Sequence, residues 1–229
     1  MAEASRTELL VAVIADLLAN SRHVAVGAAS PVPAAGALLA RERSGGRLRV
    51  SLLGSRKHNP FTDGARELFD CAAQGRIDTF FLGGVQVDGR GRVNLLGLGR
   101  YPGLDQRFSG NFGGPFMAAV VPNLILFREQ HDRRTLVEAL DFVSTAGGAK
   151  WLLTGRCLFR FRDEGFALAS LHPGQTVDMV RAATGFAFAV PDTVPATPLP
   201  DDATLAQIRG PVRDELAEVY PQAAAQLGD

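Results

Sequence analysis

Apolar residues along the first third of the chain follow helical and strand-like spacing in turn. Residues 5–19 have the spacing of an amphipathic helix, and Ser5 with Glu8 forms a capping-box pattern at its start. Strand-like apolar runs alternate with helical patterns: the runs are 23–26, 49–53 and 79–82, the helical patterns are 36–41 and 64–74, and a small-residue loop occupies 27–35. Strands separated by helices are typical of parallel pairing. The pattern therefore predicts an α/β fold with a mostly parallel sheet.

The later part of the chain has closely spaced strand patterns, some of which we expect to pair antiparallel. These patterns are at 124–127, 139–144, 151–154, 158–162 and 167–171, followed by a helical pattern at 176–184. Four prolines within 191–200 predict an extended surface tail before a last helix at 203–208. Since no internal repeat or flexible linker interrupts the chain, the sequence predicts one domain over residues 1–229, with a proline-rich C-terminal tail from about residue 191.

Composition narrows the classes of partner. The 24 basic and 24 acidic residues cancel, which argues against an electrostatic grip on nucleic acid or on an anionic membrane. The N-terminus lacks a signal-peptide pattern, and no run approaches the roughly 20 apolar residues of a spanning helix, so we expect a cytoplasmic protein. Cys71 and Cys157 form no CxxC pair and are predicted to be packing residues. No metal or flavin site is expected.

Residues 83–97, GGVQVDGRGRVNLLG, place polar side chains between two apolar runs. Local spacing predicts a β-hairpin with its turn at Asp88 and Gly89. A functional interpretation adds that Gln86 and Asn94 project their amides into a cleft at the carboxyl edge of the sheet, where open α/β sheets bind ligands. Both interpretations use the same glycines to form tight turns.

Two further segments have polar or glycine-rich patterns. Residues 109–116, SGNFGGPF, bring backbone N–H groups towards a phosphate or an oxyanion, or simply form a tight helix entry. Residues 54–63, GSRKHNPFTD, place three basic side chains in one loop, either for nucleotide phosphates or simply in solvent. Asn59 precedes Pro60 and shapes the turn, whereas His131 and His172 lack a ligand or nucleophile pattern and are predicted to be structural or surface residues.

Taken together, these motifs resemble one family. GGVQVDGRGRVN resembles the GG-x-QVD-x-x-G-x-x-N segment of β-type subunits of family I CoA-transferases of the glutaconate CoA-transferase type. SGNFGG, LDFVST, SLHPGQTVDMVRAATGF and TPLPDDATLAQIR resemble the same subunits in the same order. The resemblance implies a three-layer α/β sandwich of the ribose-5-phosphate isomerase and CoA-transferase type. It also implies an α-type partner subunit in an α2β2 heterotetramer, and coenzyme A thioesters as substrates rather than a permanently bound cofactor.

The sequence departs from this family at the catalytic position. Family transferases attack the acyl-CoA carbonyl with a glutamate that follows the strand corresponding here to 49–53, but Gly54, Ser55 and Arg56 stand there, with no carboxylate between Glu42 and Asp63. The chain also resembles β-type subunits of acyl-CoA ring-opening hydrolases of steroid catabolism, which lack this glutamate and whose α-type subunits supply an acidic residue.

The resemblance gives a set of expected site residues. Backbone amides of Gly113 and Gly114 would contact an oxyanion, and the substrate or CoA would be bound by Ser55, Asn59, Gln86, Asn94 and Asn111. We therefore expect an acyl-CoA transferase subunit, with two alternatives: a hydrolase or ring-opening hydrolase subunit whose carboxylate comes from the α-type partner, and a catalytically silent scaffold. A sugar-phosphate isomerase is disfavoured because its motifs are absent.

Overall fold

Strands alternate with helices along the first third of the chain, as the apolar pattern predicts. The computed structural model describes residues 4–163 and 165–228. The elements up to residue 120 are α1 (Arg6–Leu17), β1 (His23–Val26), α2 (Pro31–Arg43), β2 (Arg49–Leu52), α3 (Gly64–Ala73), β3 (Thr79–Leu82), β4 (Gln86–Asp88), β5 (Val93–Asn94), β6 (Gly97–Leu98), β7 (Gln106–Arg107) and α4 (Gly114–Val120). They are followed by β8 (Asn123–Arg128), β9 (Leu136–Val137), β10 (Ala149–Thr154), β11 (Cys157–Arg162), β12 (Gly165–Leu171), α5 (Val177–Ala183), α6 (Asp202–Gln207), a π-helical turn (Ile208–Val212), α7 (Arg213–Leu216) and α8 (Pro221–Ala225).

The chain divides into two compact units: one contains residues 1–81 and 198–229, the other residues 82–197. The C-terminal segment therefore belongs to the same unit as the N-terminal third. Whether the two units behave as the predicted single domain stays a prediction. None of the helices in the described part of the chain is long and apolar enough to cross a membrane.

The first unit is built on parallel strands. Strand β1 pairs with both β2 and β3 in parallel, with His23 opposite Arg49 and Val24 opposite Thr79. All four β1 residues are buried, as expected for a strand between two neighbours. Helix α2 begins at Pro31, within the stretch predicted as a loop, because proline suits the first turn of a helix, where no N–H is needed.

Helix α1 is joined to the C-terminal segment by a buried ion pair. Ser5 and Glu8 form the predicted capping box, and the Glu8 carboxylate, 1% exposed, also accepts hydrogen bonds from Nε and Nη2 of Arg209 at 2.5 and 2.9 Å. Burial by itself would raise the pKa of Glu8, but the hydrogen bonds from Arg209 and Ser5 outweigh burial and lower that pKa. The ion pair therefore holds the π-helical turn against α1.

The second unit contains a mixed sheet in the order β12-β11-β10-β8. Strand β8 pairs with β10 in parallel, whereas β10, β11 and β12 pair antiparallel, as the closely spaced strand patterns predict. A cluster of aromatic rings packs over this sheet, with Phe159 and Phe188 at a centroid distance of 5.0 Å in an edge-to-face arrangement. Smaller ladders form from β5-β4-β9 and from β6-β7.

Two local predictions in this unit are wrong. Residues 139–144 form bends rather than a strand. Their backbone groups make isolated hydrogen bonds instead of a ladder with a neighbouring strand: Asp141 donates its N–H to the Gln86 side chain, and Ser144 donates its N–H to the Val93 carbonyl. The proline-rich stretch is not wholly a surface tail. Its Thr197 is 4% exposed and donates its N–H to the Leu171 carbonyl, so part of the stretch lies along β12.

Candidate active site

The loop after β2 is organised by a buried serine. Ser55 is 5% exposed, and its hydroxyl accepts hydrogen bonds from the backbone N–H groups of Lys57 and His58 at 3.1 and 2.8 Å. The same hydroxyl donates to Oε2 of Glu218 at 2.6 Å. One donor and two acceptor sites are the full capacity of a hydroxyl group, so Ser55 is completely hydrogen-bonded.

Glu218 supplies a carboxylate at the end of β2, where the sequence has none. Its Oε1 accepts a hydrogen bond from the Arg56 backbone N–H at 2.7 Å, so both oxygens are bound by the Ser55 loop. The Ser55 hydroxyl and the Arg56 N–H lower the pKa of Glu218, because they stabilise the charged form. Sequence reasoning missed this residue because Ser55 and Glu218 are 163 positions apart.

A second carboxylate from the same helical segment lies beside the loop. Glu215 accepts hydrogen bonds from Nζ of Lys57 at 2.7 Å and from Nη1 of Arg41 at 3.2 Å. Burial would raise the pKa of Glu215, but Lys57, His58 and Arg41 more than compensate and lower it. The three basic residues of the loop, for which phosphate binding and simple solvation were both open, differ in their surroundings: Lys57 binds a carboxylate, His58 is buried, and Arg56 is exposed.

Asn59 shapes the loop, as expected for the residue before a proline. Its Oδ1 accepts a hydrogen bond from the Phe61 N–H at 3.2 Å, across Pro60. The side chain is therefore used in the turn, and its predicted contact with substrate or CoA stays a prediction.

In the second unit, the SGNFGGPF loop enters α4 through two left-handed residues. Phe112 and Gly113 have φ values of 43° and 76°, and Phe112 is 83% exposed. The Gly114 N–H already donates to the Asn111 carbonyl at 2.7 Å, so only Gly113 keeps the expected free backbone donor within the described residues. The Asn111 Oδ1 is buried and makes no hydrogen bond to any part of the chain that the structure describes. Among the groups expected to bind a ligand, the Gly113 N–H and the Asn111 Oδ1 therefore have no partner in the described residues.

The predicted hairpin is confirmed, with Gln86 opposite Asn94 in the β4–β5 pair. Its turn is held by Asp88, whose carboxylate accepts hydrogen bonds from the Arg90 and Arg92 backbones, both at 3.0 Å, and from the Arg92 guanidinium. Gln86 and Asn94 are also engaged internally. The Asn94 amide donates to Gln86 Oε1 at 2.8 Å and to the Gly97 carbonyl at 2.7 Å. These bonds favour a structural role, while the predicted ligand contacts of both amides stay predictions.

The histidines of the second unit are structural, as predicted. His131 lies between the hydroxyl groups of Thr154 and Thr184 at 2.8 and 2.9 Å, and His172 contacts the Thr197 hydroxyl at 2.9 Å. Burial raises the pKa of the nearby Cys157 to about 12, so this thiol stays protonated. Among the described residues, no three His, Cys, Asp or Glu side chains are grouped as a metal site.

His131 should make the stability of the protein dependent on pH. Burial, followed by the charge of Arg156, lowers its pKa from 6.5 to about 4, so folding opposes protonation. The neutral form of His131 therefore contributes fully to the free energy of unfolding above pH 6.5. This contribution, roughly 3 kcal/mol in total, is lost as the pH falls towards 4. Urea unfolding at several pH values should show a shallower loss of unfolding free energy for His131→Gln than for the wild type. Parallel curves for the two proteins would contradict this prediction.

No family model matches the chain, but two curated relatives do. It is 30% identical over 154 residues to the B subunit of 3-oxoadipate CoA-transferase from Pseudomonas knackmussii strain B13. It is 26% identical over 148 residues to the B subunit of glutaconate CoA-transferase from Acidaminococcus fermentans. The alignments cover 59% and 56% of this chain and 58% and 54% of the relatives, so the chain matches little more than half the length of each.

Solved structures extend the likeness over almost the whole chain. The decarboxylase AibA/AibB matches 98% of this chain and 99% of its own with a TM-score of 0.83 at 24% identity. Glutaconate coenzyme A-transferase from Acidaminococcus fermentans matches 90% and 94% with a TM-score of 0.79 at 20% identity. Rhodococcus jostii RHA1 IpdAB matches 91% and 94% with the same TM-score at 24% identity.

These likenesses confirm the expected fold but leave the reaction open, since one neighbour is named a decarboxylase and another a transferase. The mostly parallel strands and flanking helices are those of the CoA-transferase fold. This chain is therefore a homologue of the B subunits of 3-oxoadipate CoA-transferase and glutaconate CoA-transferase over little more than half its length, and it has the fold of glutaconate coenzyme A-transferase.

Proposed function

We propose that this chain is the β-type subunit of a heteromeric CoA-transferase family enzyme that acts on an acyl-CoA thioester together with an α-type partner. The relatives named as B subunits support this proposal. The observation that carries it is the Glu218 carboxylate, which binds Ser55 and Arg56 directly after β2. A carboxylate at this strand end is what the transfer reaction requires and what the local sequence lacks.

The proposed chemistry begins with attack by one oxygen of Glu218 on the thioester carbonyl. The C–S bond breaks, which leaves a mixed anhydride on Glu218 and a free CoA thiolate. The thiolate then attacks the glutamyl carbonyl, releasing the first carboxylate product and forming a glutamyl-CoA thioester. An acceptor carboxylate reverses these two steps. Ser55 and Arg56 would orient the attacking carboxylate, since each oxygen keeps a lone pair beyond the hydrogen bond it accepts.

The SGNFGGPF loop was expected to contact an oxyanion through two backbone amides, and we retain this role for one of them. We propose that the Gly113 N–H donates to an oxyanion and that Asn111 Oδ1 accepts a hydrogen bond from substrate or CoA, because neither group has a partner among the described residues. The Gly114 N–H is not part of this proposal, because it already donates to the Asn111 carbonyl.

Hydrolysis is the second candidate function, and the lowered pKa of Glu218 is the observation that favours it. Two hydrogen-bond donors lower the pKa of this carboxylate, and a less basic carboxylate is a weaker nucleophile. In that case a carboxylate of the α-type partner would act as general base and activate a water molecule, and Glu218 would only shape the Ser55 loop.

Covalent trapping separates these candidates. We expect borohydride, added to the assembled complex with an acyl-CoA substrate, to reduce a glutamyl thioester and label the peptide that contains Glu218, as detected by mass spectrometry. Free CoA released without a carboxylate acceptor, with no label, would instead indicate hydrolysis. A label confined to the partner subunit would indicate that this chain is a silent scaffold.

A further inference from the structure

A groove of about 270 Å³ in the first unit is lined by basic and histidine side chains. Those side chains come from β1, α2, β2 and the loop after β2, and they are His23, Arg41, Arg49, Lys57 and His58. No aspartate or glutamate among the described residues lines this groove. The groove is therefore a concave surface with a positive wall, and the proposed chemistry at Glu218 does not use its Arg49 or Arg41 side chains.

The positive charges of this groove are only partly balanced. Arg41 and Lys57 share the single carboxylate of Glu215, which does not itself line the groove. Arg49 is exposed and makes no ion pair or side-chain hydrogen bond with residues 4–163 or 165–228. Burial lowers the pKa values of His23 and His58, so both are counted as neutral at pH 7. Three cations thus face one carboxylate.

His58 also lines the groove and has one buried nitrogen without a hydrogen bond among the described residues. Its side chain is 8% exposed, and Nε2 is buried without a hydrogen-bond partner in the described chain. The nearest carboxylate oxygen, Oε2 of Glu215, is 3.5 Å away, which is too far for a good hydrogen bond. Buried polar atoms normally have partners, so the hydrogen bonding of His58 is incomplete among the described residues.

We propose that the groove, which we call the Arg49 groove, binds the phosphate group of a phosphorylated small molecule. The guanidinium of Arg49 presents a planar fork that matches two phosphate oxygens, and Lys57 adds a point charge. A volume of about 270 Å³ is just below the usual range for small-molecule pockets, so it suits a phosphate group better than a whole nucleotide. The phosphate would belong either to a CoA-type nucleotide or to a free phosphate ester.

Calorimetric titration of the full chain with inorganic phosphate and with adenosine 3′,5′-bisphosphate tests this site. Loss of one charge-assisted contact predicts that Arg49→Ala weakens the Kd about tenfold or more. Arg47→Ala is the matched control, because Arg47 is an exposed arginine two positions earlier that does not line the groove. We expect it to change the Kd by less than about twofold, as for an exposed charge that is screened by solvent and does not line the groove.

For a second variant, we expect phosphate binding to become tighter rather than weaker. Glu215→Gln removes the negative charge that Arg41 and Lys57 share and should tighten phosphate binding several-fold, a result that general damage to the fold would not produce. Tighter binding of the bisphosphate than of inorganic phosphate would identify a nucleotide phosphate as the source, and equal binding a free phosphate ester.

The proposal is overturned if neither anion binds saturably, or if Arg47→Ala weakens binding as much as Arg49→Ala. The proposal does not rest on the proposed function, because glutamyl trapping tests Glu218, whereas the groove is tested with anions that carry no thioester.

Discussion

Replacing Glu218 with glutamine is expected to reduce acyl-CoA exchange by the assembled complex at least about a thousandfold, the scale seen when a nucleophile is removed. A neutral amide is a poor nucleophile, yet it has the shape of the carboxylate and still accepts the Arg56 N–H through its oxygen. The variant should therefore stay folded, because it weakens only the hydrogen bonds of an exposed side chain. The measurement is kcat/KM from CoA exchange, together with thermal unfolding of each protein.

Glu67→Gln provides the matched control. Glu67 is also a glutamate whose carboxylate accepts backbone hydrogen bonds, from Thr62 at 2.8 Å and Asp63 at 3.3 Å. It lies at the start of α3 and has no proposed chemical role. Its replacement should leave exchange within about twofold of the wild type, as for a surface substitution away from the reacting atoms. Full activity of Glu218→Gln would show that Glu218 is not the nucleophile and would favour the hydrolase or scaffold alternatives.

Glu8→Ala is expected to lower the free energy of unfolding by about 2–3 kcal/mol, because it removes a capping-box acceptor and two charge-assisted hydrogen bonds to Arg209. The carboxylate closes the capping box of α1 and binds the Arg209 guanidinium through two hydrogen bonds. Removing it leaves the Arg209 guanidinium, which is 25% exposed, without this carboxylate and frees the N–H of Ser5. Urea unfolding at pH 7 should show a lower midpoint with little change in slope.

Asp16→Ala on the same helix is the control for this effect. Asp16 pairs with Arg43 at 2.8 Å, but its side chain is 70% exposed, and such surface pairs contribute about 0–1 kcal/mol. If the two substitutions reduced the unfolding free energy equally, the Glu8–Arg209 pair would have no special role in joining the C-terminal segment to α1.

Local spacing predicted most elements, because helices and strands that are buried on a face repeat their apolar residues with a fixed period. The capping box at Ser5, the antiparallel pairing of β10, β11 and β12, and the hairpin turn at Asp88 all follow from residues that are close in sequence. Residues 139–144 were predicted wrongly because their apolar pattern is that of a strand, whereas hydrogen bonds from distant residues hold them as bends.

At the candidate site, the sequence located the loops but not the contacts of their side chains. Sequence motifs located the Ser55 loop and the SGNFGGPF loop, and they also showed that no carboxylate lies between Glu42 and Asp63. They did not show that Asn94 is fully buried, or that Gly114 donates to Asn111, because side-chain burial and backbone bonding depend on the packed conformation.

The sequence by itself determined the alternation of helices and strands, the turn positions and the resemblance to CoA-transferase β-type subunits. Each of these depends only on the order and spacing of residues that are close along the chain. Only the tertiary structure decided which distant groups meet. Glu218 reaches Ser55 across 163 positions, and Arg209 reaches Glu8 across 201. Such contacts arise when the C-terminal segment folds onto the N-terminal unit, and no local periodicity encodes which side chains that packing brings together.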